Sequence, residues 1–276
     1  MTHEKDDRER EAVLGERLDA MSEPRSVRFW EQYDVARLTL ARPPLNVLTI
    51  DMMREINGAL EHAAANPSLK VMVIASEGKA FSAGVAVADH EGARAKPMLE
   101  TFHRIFHSLQ ALDCVTLAVV QGAALGGGAE LATFCDRVIA SETATFGQPE
   151  VTVGVFPPIA AIHYPTRVGP AQTYRLLLSG EVIPAAEAGR IGLADRVVAA
   201  DRLNETVDAE VERLRAQSAV VLRLTKRAVR DSLGVPFDQA LARLEELYQY
   251  ELMQTEDAAE GRRAFVEKRK PVWRDR

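Results

Sequence analysis

Apolar positions recur along this chain with two alternating periods. Val35-Ala36-Arg37-Leu38-Thr39-Leu40 is a short strand pattern, and Arg42-Pro43-Pro44 ends it because proline cannot donate to a ladder. Ile50, Met53, Ile56 and Leu60 then fall at helical spacing with Asp51 in the first turn, which predicts a helix over residues 50–65. Val71 to Ala75 is apolar at every position, the mark of a strand covered on both faces. A helix is expected over 97–111 and a second fully apolar strand over 115–120. Gly126-Gly127-Gly128 interrupts the pattern, an apolar helix follows through Leu131 and Phe134, and residues 137–140 return to strand. Alternation of this kind over the first two-thirds of a chain predicts an α/β core.

Beyond about Asp201 the texture changes. Glycine becomes scarce, and helical patterns run over 203–216, 219–233 and 237–253. These helices are expected either to pack on the core or to mediate assembly. The predicted division is a charged extension at 1–25, a core at 26–200 and a helical part at 201–276. The segment before Ser26 carries eight acidic and five basic residues, and so reads as a solvated or partly helical tail. No internal repeat or low-complexity linker is visible.

Composition narrows the picture modestly. With 276 residues and 47% apolar content, the chain can bury a large core. A net charge of -6 disfavours nucleic acid or an anionic membrane as partner. Cys114 and Cys135 lie in apolar stretches without disulfide or zinc spacing, which fits a reducing, cytoplasmic setting. No apolar run is long enough to span a bilayer, and residues 1–24 lack the apolar run of a secretory signal.

Three segments could carry chemistry. Lys79 to Val85 follows the strand at 71–75, and its small residues Ser82, Ala83 and Gly84 let backbone amides approach a ligand. Gly122 to Glu130 follows the strand at 115–120 and places Gly126, Gly127 and Gly128 at a helix start. Free amides and the helix dipole there favour an anion. Phe146-Gly147-Gln148-Pro149-Glu150 fixes a second carboxylate in a proline-bounded turn. Two amides from separate loops suit an oxyanion hole, and Glu130 with Glu150 suits acid–base work. The alternative reading of the glycines is tight strand–helix packing. Neither the dinucleotide fingerprint nor the P-loop pattern is present. Ser82 lacks the nucleophile-elbow pattern of serine hydrolases.

These segments resemble the enoyl-CoA hydratase/isomerase (crotonase) family. Phe81 to Val85, Leu125 to Glu130 and Phe146 to Glu150 carry the likeness. It extends through Arg42-Pro43 with Asn46, Leu178-Ser179-Gly180 and Gly189 to Ala194, and ends at Phe265 to Trp273. The resemblance implies a crotonase-like spiral of ββα units with a helical C-terminal region, assembled as a homotrimer or homohexamer. It implies an acyl-CoA thioester substrate, with CoA arriving as part of that substrate and no separate cofactor. Oxyanion-hole amides would belong to Val85 and Gly127, and Ser82, Ala83, Gly84, Gly126 and Phe156 would line the substrate. Relatives that isomerise, hydrolyse or dehalogenate often lack one of the two glutamates, so retention of both favours water addition. Glu150 would then protonate the α-carbon while Glu130 helps to activate water, with shared or reversed roles as the alternative. Two departures stand out: Ala86 replaces a frequent aspartate, and Phe156-Pro157-Pro158-Ile159-Ala160-Ala161 replaces a glycine-rich run. Phe81 to His90, Gly154 to Ala161 and Leu244 to Trp273 also resemble the subgroup that hydrates alicyclic dienoyl-CoA, such as cyclohexa-1,5-diene-1-carbonyl-CoA. Double-bond isomerisation and a non-catalytic or RNA-binding role are the competing readings.

Other residues have ordinary readings. His103 and His107 share a helix face without a zinc motif, so no metal site is expected. Asp89-His90 reads as a solvent-facing loop. Lys268, Arg269 and Lys270 could meet CoA phosphates or simply form a solvated helix end.

Overall fold

The computed structural model describes residues 25–276, so the first 24 residues of the charged extension lie outside the described residues. The strands run in chain order β1 (Val27–Gln32), β2 (Val35–Leu40), β3 (Val71–Ser76), β4 (Val115–Val120), β5 (Ala123–Leu125), β6 (Arg137–Ser141), β7 (Thr145–Gly147), β8 (Val182–Pro184) and β9 (Arg196–Val198). The helices are α1 (Ile50–Ala64), α2 (Ala95–Ala111), α3 (Gly127–Phe134), α4 (Pro158–Arg167), α5 (Gly169–Ser179), α6 (Ala185–Ile191), α7 (Leu203–Arg215), α8 (Ala219–Ser232), α9 (Phe237–Glu246) and α10 (Glu256–Val266).

One sheet has the order β1-β2-β3-β4-β6-β9, and a smaller one the order β5-β7-β8. The large sheet is parallel except for the edge strand β1, which pairs antiparallel with β2. Its central strands are buried on both faces, which is why they are apolar at nearly every position. After each of these strands the chain makes a short parallel contact on a second, inner ladder before entering a helix. Leu48 bridges Val85, Ser82 bridges Ala124, and β5 pairs with β7. Successive turns are therefore β2–Leu48–α1, β3–Ser82–α2, β4–β5–α3 and β6–β7–α4. This is the ββα spiral.

Phe81 and Phe146 anchor the inner ladder and are fully buried. Burying such a side chain stabilises by roughly 1.5–3 kcal/mol, enough to hold the adjoining backbone in register. The other face of the large sheet is covered by Leu203 and Val207 of α7, against Val71, Val73, Leu117 and Ile139. The helical C-terminal part thus begins by packing on the core. Of its helices, the one expected over 237–253 is broken: α9 ends at Glu246, a π-type turn follows over Leu247–Glu251, and a 3₁₀ turn over Leu252–Gln254. No glycine or proline marks that break.

Candidate functional site

The loop after β3 and the start of α3 touch through their backbones. A Cβ on Gly84 would lie 2.9 Å from Leu125 O and 3.4 Å from Gly127 N, and its φ of +95° suits glycine. Gly126 has φ 52° and ψ -129°, a conformation that essentially only glycine adopts. Phe81 N and Ser82 N donate to Ala123 O at 2.9 and 3.1 Å, while Leu125 N donates to Ser82 O at 2.9 Å. On the other side of the loop, Ala83 N donates to Leu45 O, Leu48 N to Gly84 O and Ala86 N to Leu48 O. Among the described residues, that network leaves the N–H groups of Val85 and Gly127 without a protein acceptor. The two residues are neighbours, because a Cβ on Gly127 would stand 2.8 Å from Val85 Cγ2. Gly127 opens α3, so its amide is among those a helix start leaves free.

Both glutamates lie close by, Glu130 on the helix that Gly127 opens and Glu150 against Gly126. Glu130 lies in the first turn of α3, is 3% exposed, and accepts a hydrogen bond from Ala160 N at 2.8 Å. Ala160 belongs to the first turn of α4, so Glu130 sits at that helix N-terminus. Burial pushes its pKa up to about 8. The Ala160 hydrogen bond opposes the shift, and the nearby Glu150 charge adds to it. Glu150 sits on the 3₁₀ turn Pro149–Val153, and burial raises its pKa too. A Cβ on Gly126 would fall 2.7 Å from Glu150 Oε1, so the glycine leaves room for the carboxylate.

The remaining predicted substrate-lining residues divide. The side chain of Ser82 is fully buried within its own loop. Its hydroxyl donates to Asn46 O at 2.8 Å and accepts from Gly84 N at 3.1 Å, so it braces the loop. Phe156 is 72% exposed at the mouth of the turn that leads into α4.

Free amides and carboxyl groups gathered in this way can serve acid–base chemistry on a carbonyl compound. The comparisons with known proteins identify the family. The family model for enoyl-CoA hydratase/isomerase matches residues 31–276. The chain belongs to the enoyl-CoA hydratase/isomerase family. It is 40% identical over 245 residues to the probable enoyl-CoA hydratase of Rhizobium meliloti (strain 1021), covering 88% of this chain and 95% of the relative. It is 37% identical over 259 residues to cyclohexa-1,5-dienecarbonyl-CoA hydratase of Thauera aromatica, covering 93% of this chain and 100% of the relative. The crystal structure of an enoyl-CoA hydratase from Mycobacterium smegmatis superposes with a TM-score of 0.86 at 28% identity, over 91% of this chain and 99% of that one.

Several residues of this family member gain or change meaning in the fold. Gln148 and Tyr164, to which the sequence assigned no role, lie beside Glu150. The Gln148 amide is 3.2 Å from both Glu150 oxygens and 2.9 Å from the Tyr164 hydroxyl. Asp89, expected on a solvent-facing loop, is buried: it accepts from Ile50 N at the start of α1 and pairs with Arg94. Arg269 donates to Glu260 and Glu267, which ties the end of the chain to α10. His103 and His107 belong to no metal-holding group among the described residues, and burial lowers the His103 pKa.

Proposed function

We propose that this enzyme, a hydro-lyase of the enoyl-CoA hydratase type, adds water reversibly across the 2,3 double bond of an acyl-CoA thioester. The observation that carries the reading is the convergence of two raised-pKa carboxylates on two unpartnered backbone amides. In the proposed reaction the thioester oxygen lies against Val85 N–H and Gly127 N–H, which stabilise the enolate as charge builds there. Glu130, the more deeply buried of the pair, keeps a proton near neutral pH and orients the water. Ionised Glu150 takes a proton from that water as its oxygen bonds to the β-carbon. It then delivers that proton to the α-carbon, so one water is added and both carboxyl groups return to their starting states. Only protons and a hydroxyl move, so the reaction calls for no redox cofactor. CoA enters and leaves as part of the substrate.

An alicyclic dienoyl-CoA is the proposed acyl class. The full-length similarity to the Thauera aromatica enzyme supports it, as does the stiff Pro157-Pro158 entry to α4 beside Glu130. The purified protein would be given a panel of straight-chain 2-enoyl-CoA and cyclic dienoyl-CoA thioesters, with products followed by mass spectrometry. Gain of one water, fastest on a cyclic member, is the expected result. Unchanged mass with altered chromatographic mobility would instead establish double-bond isomerisation.

A homotrimer or dimer of trimers is proposed because large apolar side chains crowd the surface of α4 and α5, among them Ile162, Tyr174 and Leu178. Light scattering that finds only monomer at micromolar concentration would refute this. A cytoplasmic setting is proposed from the thiols. Cys114 and Cys135 are free and buried, and burial pushes their pKa values up to about 11 and about 12.

A further inference from the structure

We infer that Gln148 and Tyr164 are positioning residues that hold the Glu150 carboxyl in place through both of its protonation states. The inference rests on the proposed role of Glu150 in proton transfer. Both side chains are 1% exposed, so neither can fall back on solvent for its hydrogen bonds. A primary amide has one donor end and one acceptor end, and Gln148 spans the gap between carboxyl and phenol. When Glu150 is ionised, the Gln148 NH₂ faces it with 3.2 Å to each oxygen. The Gln148 carbonyl then accepts from the Tyr164 hydroxyl at 2.9 Å. When Glu150 carries its proton, the amide turned end for end satisfies the same three groups. Its carbonyl accepts from the carboxyl O–H, and its NH₂ donates to the Tyr164 oxygen at 2.9 Å. A phenol serves both orientations because it donates and accepts. Phenylalanine would serve neither.

The arrangement gives α4 a grip on both carboxylates. Its Ala160 N–H holds Glu130, and its Tyr164 holds Glu150 through Gln148. Tyr164 itself stays protonated throughout the working range, since burial raises its pKa to about 12, so it orients the amide and supplies no proton. The titratable groups near Glu150 are few. Glu130 faces it from α3 and Tyr164 from α4. His163 turns its Nε2 to Thr133 O at 2.8 Å. Arg175, on the α5 helix packed against the 149–153 turn, pairs with Glu181 and Glu187.

The test measures kcat and KM for but-2-enoyl-CoA across pH in the full-length protein. It compares wild type with Gln148→Leu, Tyr164→Phe, the double variant and Glu150→Gln. Gln148→Leu should lower kcat between about tenfold and 100-fold while KM stays within about twofold. Its acid limb should move to higher pH, because the ionised carboxylate loses its donors. Tyr164→Phe should move both readouts in the same direction by less, and the double variant should be no worse than Gln148→Leu alone. The position of the limb does not depend on how much of a variant is folded, so partial unfolding cannot imitate the shift. Wild-type kcat and limb in both single variants, beside an inactive Glu150→Gln, would overturn the inference and leave the proposed function standing. Losses that multiply in the double variant would also overturn it. A fully active Glu150→Gln would remove the reading beneath it.

Discussion

The proposed chemistry of this protein turns on carboxylates placed where carboxylates are costly. Glu130 is buried between α3 and the first turn of α4, and the backbone amides of Ala160 and Ile159 oppose the effect of burial without cancelling it. In the folded protein it therefore holds a proton more tightly than in the unfolded chain. The stability penalty is absent below the unfolded value of 4.5, grows as pH rises, and levels off above about 8. The melting temperature should accordingly fall across that window. Glu130→Gln, neutral at every pH, should flatten most of the slope, as a thermal melt series at several pH values will read. An unchanged slope would show that Glu130 ionises freely in the folded state. The residue-level motifs were largely legible in the sequence. Gly84, Gly126 and Gly127 stand at positions where the backbone needs glycine or close approach, and Glu150 lies against Gly126. Tyr164 was not legible. Its place beside Gln148, 16 residues away, depends on how α4 packs, and no local pattern encodes that.

Elements were legible where burial is two-sided or periodic. The apolar runs at β3 and β4 and the helical spacing of α1 end close to where the pattern ends. β1 escaped notice because Arg28, Trp30 and Gln32 of this edge strand face solvent. β5, β7 and β8 are three residues each, too short to show a period. What aligns these short pieces is a set of buried polar ties. Asn46, with φ 48°, is the clearest. Its side chain accepts from Arg42 N at 2.9 Å and donates to Glu77 O at 2.8 Å and Ala80 O at 2.9 Å, joining the chain after β2 to the loop after β3. Asn46→Ala would strand buried backbone groups and place alanine in a left-handed conformation. A loss of about 2–4 kcal/mol is expected, read from the urea midpoint at unchanged slope. A loss below about 0.5 kcal/mol would mean that the loops hold their register without it.

At the scale of the molecule, the spiral brings together three segments far apart in sequence. In the proposed site the β3 loop supplies one amide, the α3 start supplies the other amide and Glu130, and the turn after β7 supplies Glu150. α7 packs on the large sheet behind these pieces, while Ile162 of α4 and Tyr174 and Leu178 of α5 are exposed, the surface proposed above for assembly. The sequence announced the α/β core and the helical end, but not the second sheet that carries the site. The most direct test of the account is the hydration rate of 2-enoyl-CoA by wild type, Glu130→Gln and Glu150→Gln, with thioester binding measured on each. Wild type should give a product heavier by one water. Both variants should lose roughly 100-fold or more in rate, with little change in thioester affinity. A wild type that adds no water to any member of the panel, or two variants that keep full activity, would contradict the account.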